Sequence, residues 1–109
     1  MTVFLVETYV IKPEKRVEFM AYIEKEKRSK ILQKRPQFFK EVKSYKMFSQ
    51  MLGGNFDGYV EMWEFENLAD CEKVFNRITQ SGYMTTLYPE FASLVVPATH
   101  SMSIWNSVE

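Results

Sequence analysis

With 109 residues, 46% of them hydrophobic and 26% charged, the chain can bury one core, is too short for two, and is too apolar for disorder. Its 14 basic and 14 acidic residues balance, which argues against a dedicated nucleic-acid binder. Cys71 is the sole cysteine, so an internal disulfide and a cysteine-based metal cluster are excluded, and a cytoplasmic setting is expected.

Residues 2–11 alternate as a strand. Val3, Leu5, Glu7, Tyr9 and Ile11 share one face, and Phe4, Val6, Thr8 and Val10 the other. Both faces are largely apolar, so both need cover. The segment is short, lacks a basic leader and carries Glu7, so it resembles a core strand more than a secretory signal. Pro13 suits the first turn of a helix. Phe19, Met20 and Ile23 form its apolar stripe, which Lys27 interrupts before Ile31 and Leu32, and Pro36 ends the pattern.

Residues 39–52 read as a second strand, with Val42, Ser44, Lys46 and Phe48 opposite Lys43, Tyr45 and Met47. Gly53, Gly54, Asn55, Asp57 and Gly58 supply turn chemistry, so the third strand, residues 59–66, should pair antiparallel with the second. Tyr59, Glu61, Trp63 and Phe65 share a face of it. Asn67 is a good N-cap for a second helix, and Asp70 completes a capping-box variant. Leu68, Cys71, Phe75 and Ile78 mark the expected buried side, and Gly82 a stop. Residues 83–94 continue as a short segment in which Pro89 opens a helical turn. A fourth strand follows Pro97, with His100, Met102, Ile104 and Asn106 on one face.

The order β-α-β-β-α-β predicts one α+β domain over residues 1–109. Its topology is ferredoxin-like: a four-stranded antiparallel sheet with both helices on one face. The other face would then be a bare apolar patch. A second copy of the chain, packed sheet against sheet as a twofold homodimer, is the expected cover; the alternative is a monomer roofed by residues 83–94. No apolar run is long enough for a membrane span.

Two stretches, ETYVIKPEKRVEF from Glu7 and YVEMWEFENLADCEKVF from Tyr59, resemble the dimeric α+β-barrel superfamily. Within it the chain is most similar to NIPSNAP-like proteins, with antibiotic-biosynthesis monooxygenases as broader kin. Tyr9, Lys12 and Pro13, then Trp63, Glu64 and Phe65, then Asn67, Leu68 and Ala69 carry the likeness. It implies a dimer, a pocket between sheet and helices, and an uncharacterised small-molecule-binding protein. There are departures. NIPSNAP-like first strands carry an arginine where this chain has Glu7. Haem-degrading members resemble the chain at Trp63, but their first-strand asparagine aligns with Thr8, and no histidine lies between Leu68 and Ser81.

Trp63 and Tyr59, with Thr8 at the position the resemblance marks, are the candidate substrate-binding residues for a small aromatic or quinol-like ligand. Glu61 is the candidate catalytic base, since a buried carboxylate suits proton abstraction. The competing assignment packs Trp63 in the core and pairs Glu61 with Lys43 or Lys46. Glu7 shares a parity with Tyr9, and Glu61 with Trp63; if the first and third strands are neighbours, two carboxylates could approach one another, as an acid–base pair or equally as salt-bridged or solvated edge residues. His100, the one histidine, has no companion at metal-ligand spacing. A structural role is expected for it, and a buried, small-hydrophobe role for Cys71. The basic run of residues 25–35 reads as a solvated helix face. No metal, cofactor, nucleic acid or membrane is called for. Three functions remain open: ligand binding, cofactor-independent monooxygenation of an electron-rich aromatic, and a non-enzymatic structural or interaction module.

Overall fold

In the computed structural model, which describes residues 2–26, 36–80, 82 and 88–108, the β-branched and aromatic run Val3–Val10 forms strand β1. Pro13 opens a single 3-10 turn, Pro13–Lys15, that leads into helix α1, Arg16–Glu26. A short helix α2, Pro36–Phe39, precedes strand β2, Ser44–Ser49, and strand β3, Gly58–Phe65. Helix α3, Leu68–Gln80, is capped by Asn67, whose side-chain oxygen accepts the Asp70 N–H at 2.9 Å. Helix α4, Tyr88–Leu94, carries Pro89 in its first turn, and strand β4, Ser101–Asn106, closes the chain.

The strands lie in the order β2-β3-β1-β4, all antiparallel. The predicted ferredoxin-like α+β architecture is therefore present. Register sets Glu7 opposite Glu61 and Leu5 opposite Trp63 across β1 and β3, and Glu7 opposite Met102 across β1 and β4. On the face these residues share, two hydrophobic clusters meet the helices. Tyr9 and Ile11 pack with Phe19 and Tyr22 of α1 and with Phe91 and Leu94 of α4. Val3, Trp63 and Phe65 pack with Phe39, Cys71 and Val74.

Several expectations shift. Phe39 belongs to α2, not to the second strand, because Pro36 starts a helical turn there instead of merely ending one. On α1, Tyr22 is buried beside Phe19 while Met20 is half-exposed, since residues three apart share a helix face and adjacent ones do not. On α3, Cys71 and Val74 are buried while Leu68 and Phe75 are half-exposed. Gly82 adopts φ +79°, the left-handed conformation expected past a helix end. α4 lies on the helical side of the sheet through Phe91, so it does not roof the opposite face. The Lys27, Ile31 and Leu32 pattern and most of the basic run fall outside the described residues, as do residues 83–87.

Candidate functional site

Between the sheet and α3–α4 lies a cavity of about 240 Å³. Its walls are apolar, with Phe39, Trp63, Phe65, Val74, Phe91 and Met102 prominent among them. Among the described residues that line it, Glu7 is the carboxylate and His100 the imidazole, beside the Cys71 thiol and the Tyr88 phenol. The backbone explains why Glu7 and His100 meet. Residues 94–99 are fastened to the end of β1 by Lys12 N–H to Leu94 O and Val96 N–H to Val10 O, at 2.9 and 2.8 Å, and by the Val10 N–H donated to Thr99 Oγ1 at 3.1 Å. Ala98, at φ +67°, turns the chain into β4. His100 stands just before that strand, not within it, and its Nε2 lies 3.4 Å from Glu7 Oε2. The imidazole is set edge-on against Phe91, ring centroids 5.4 Å apart. The side chains of Glu7 and His100 are 12% and 23% exposed, so the pair is sheltered yet borders open volume.

Glu61 is 1% exposed, the most deeply buried charged residue among those described. Tyr9 Oη donates to its Oε2 at 2.5 Å and Tyr45 Oη donates to its Oε1 at 2.6 Å. Hydrogen bonds from neutral phenols to a carboxylate are charge-assisted and roughly twice as strong as neutral pairs. Tyr9 belongs to the first cluster and Tyr45 packs on the second, so Glu61 joins the two halves of the core.

Of the residues singled out in the sequence, Trp63 lines the cavity, its ring tilted against Tyr45 at 4.5 Å and stacked with Phe39 at 5.7 Å. Glu61 sits behind the wall, and its partners include two tyrosines; Lys46 lies on a β2 position opposite Met62, on the other face. Tyr59 is in the α1 cluster, 4.8 Å from the Phe19 ring, where burial pushes its phenol pKa up and keeps it protonated. Thr8 points to the opposite face of the sheet and is exposed. Tyr59 and Thr8 instead border a shallow depression at the sheet's end with Ser49, Gly58 and Thr99. Cys71 is buried, and desolvation raises its thiol pKa, so it is a packing residue rather than a thiolate nucleophile. Among the described residues no group of three acidic, histidine or cysteine side chains could hold a metal ion.

The Glu7–His100 pair is what residue-by-residue reasoning passed over. One signal was present: an inward-facing carboxylate in the middle of an apolar strand needs a partner. Naming His100 as that partner required the β1–β4 register, which no local pattern encodes.

Comparison with solved structures places this geometry. A NIPSNAP family protein from Agrobacterium tumefaciens superposes with a TM-score of 0.74 over 100% of this chain and 95% of its own, at 16% identity. The chain has the NIPSNAP fold. A NIPSNAP-like domain protein from Burkholderia xenovorans gives a TM-score of 0.65 at 19% identity, covering 98% of this chain and 85% of that one. The fold extends to an antibiotic biosynthesis monooxygenase, with a TM-score of 0.66 at 16% identity over 98% of this chain and 99% of the other. No protein-family model matches the sequence, and no curated protein matches it in sequence. At such identities the likeness is one of backbone: the NIPSNAP fold supplies the space between sheet and helices, and this chain's own side chains set its chemistry.

Proposed function

We propose that this NIPSNAP-like protein binds a small, flat, largely apolar molecule carrying an ionisable hydroxyl, with the Glu7–His100 pair receiving the hydroxyl proton. The observation that carries the reading is an apolar cavity into which one carboxylate–imidazole pair faces. Its volume, about 240 Å³, lies just below the drug-sized range of roughly 300–1,000 Å³, which favours one or two rings. Trp63 and Phe39 give the wall aromatic surface against which a ring can pack. Glu61 holds the floor of the site in register through Tyr9 and Tyr45.

A second copy of the chain completes this reading by covering the outer sheet face, where Phe4, Val6, Val60 and Met62 are half-buried and Phe48 and Trp105 are exposed. No described helix is long and apolar enough to cross a membrane, and the free thiol of Cys71 is consistent with a cytoplasmic setting.

The test is thermal denaturation with 1-naphthol as probe. A ligand at a hundred times its Kd adds about 2.7 kcal/mol, on the order of 10 °C for a chain of this size. The shift should vanish in Glu7→Gln and Trp63→Ala. No shift in the native protein, or an unchanged one in both variants, refutes the assignment.

A second reading is favoured by the antibiotic biosynthesis monooxygenase among the structural neighbours. Glu7 or His100 would take the phenol proton, and the electron-rich ring would reduce oxygen directly. One oxygen atom enters the ring, the other leaves as water, and phenol plus O2 becomes quinone plus H2O. Oxygen uptake with 1-naphthol or a hydroquinone, lost in Glu7→Gln, supports this reading; binding without uptake leaves a ligand carrier.

A further inference from the structure

Helix α3 has more apolar surface than the core uses. Cys71 and Val74 are buried in it, while Leu68 and Phe75, one face further round, are 47% and 44% exposed. They look across to Met102 and Ile104 of the edge strand β4, which are 46% and 51% exposed. Between them runs an open groove of about 770 Å³, floored by Leu5. Leu5, Cys71, Phe75 and Met102 line the groove and the cavity alike. The groove is thus the cavity's apolar extension, and its closed end holds Glu7 and His100.

We infer that the ligand is an amphiphile: its hydroxyl-bearing ring occupies the cavity, and an alkyl or other linear apolar chain lies along the α3–β4 groove. The inference rests on the ligand-binding reading above and adds the substrate class. A compact ligand would leave four half-exposed apolar side chains in water beside an occupied site, whereas a chain covers them. A partner copy on the outer sheet face leaves the groove open, because the groove lies on the helical side. From Leu68 to Phe75 the helical rise spans about 10 Å, room for roughly eight carbons.

The experiment is calorimetric titration with 4-alkylphenols from ethyl to decyl, below their micellar concentrations. Full burial of a CH2 is worth about fourfold in affinity, and a half-open groove about twofold. Affinity should therefore climb on the order of fiftyfold from ethyl to octyl and then level off. Two variants outside the cavity isolate the groove. Leu68→Asp keeps α3 intact, since an acidic residue is favourable in the first helical turn, and Ile104→Thr keeps a β-branched residue in β4. Both should bind 4-ethylphenol as the native protein does and lose most of the octyl advantage. A flat chain-length series in the native protein, or a slope preserved in both variants, overturns the inference while leaving the cavity reading in place. A fall in solution mass in Leu68→Asp also overturns it, by assigning the groove to an interface between copies. If 4-ethylphenol does not bind at all, the cavity reading fails first and the inference with it.

Discussion

Position 61 shows how one side chain serves the whole core. A carboxylate at 1% exposure loses nearly all its hydration, and in exchange accepts hydrogen bonds from Tyr9 and Tyr45. Its removal costs more than its presence contributes, because both phenols lose that acceptor. Glu61→Leu should therefore destabilise the fold by about 2–6 kcal/mol, roughly 1–3 kcal/mol for each of the two buried phenols that loses this acceptor, and Glu61→Gln by about 1–3 kcal/mol, since an amide still accepts one bond and can donate to the other oxygen. The triple variant Tyr9→Phe, Glu61→Leu, Tyr45→Phe should recover most of the loss, because acceptor and donors leave together. Urea denaturation of the three proteins checks this; a triple variant no more stable than Glu61→Leu would show that the network does not act as a unit. Glu7 differs in kind. It borders open volume, so its substitution should register in binding rather than in the denaturation midpoint.

At the scale of elements, two ion pairs tie helices to loops. Arg16 at the start of α1 donates from Nε and a terminal nitrogen to the Asp57 carboxylate at 2.6 and 2.8 Å, fastening α1 to the β2–β3 hairpin. Arg77 of α3 pairs with Glu41, just past α2. The hydrogen bond and charge of each arginine hold the Asp57 and Glu41 carboxyls below their usual range. A carboxyl with a depressed pKa in the folded state stabilises the fold fully above its unfolded pKa, near 4, and that stability is lost as pH falls through the folded value. The melting temperature should hold steady from pH 7 to about 5 and fall below it. Arg77→Gln should flatten that acid limb more than Arg16→Gln, because the Arg77 side chain is 30% exposed and Arg16 62%. An acid limb unchanged in both variants would exclude these pairs as its source. Neither pair was visible in the sequence, since each joins residues 36 or 41 positions apart. The elements themselves were more legible. The β-forming runs of β1 and β3, the glycine-rich hairpin and the Asn67 cap depend on neighbours in the chain, and each stands where the pattern put it. The face of α3 was less so: Leu68, Cys71, Phe75 and Ile78 satisfy helical spacing, but β4 is an edge strand, and its side of the helix is left half open. The site depended on register. Trp63 could be read from its parity on β3, whereas Thr8, drawn from a likeness to other chains, has the opposite parity from Glu7 and so faces away.

For the whole molecule the decisive asymmetry is between the two faces of the sheet. Two clusters and the four helices found among the described residues occupy one. On the other, Phe4, Val6, Val60 and Met62 of the central strands are flanked by exposed Phe48 and Trp105 on the edge strands, and among the described residues no helix crosses them. Apolar surface of this extent is stabilised by roughly 25 cal/mol per Å² when covered, and a twofold copy offers the same surface in complementary form. Light scattering at micromolar concentration should return about twice 12.9 kDa. A charge at the centre of that face tests the cause: Val6→Lys or Met62→Lys should shift the mass toward one chain, because an unpaired lysine buried between two sheets costs several kcal/mol. Val17→Lys, at an exposed position on α1, should leave the mass unchanged. The melting temperature of the native protein should rise with its concentration, as mass action requires of a fold coupled to association, and that of the lysine variants should not. A native mass of one chain, or a dimer that tolerates both central lysines, would place the contact elsewhere and leave the open face to a different partner.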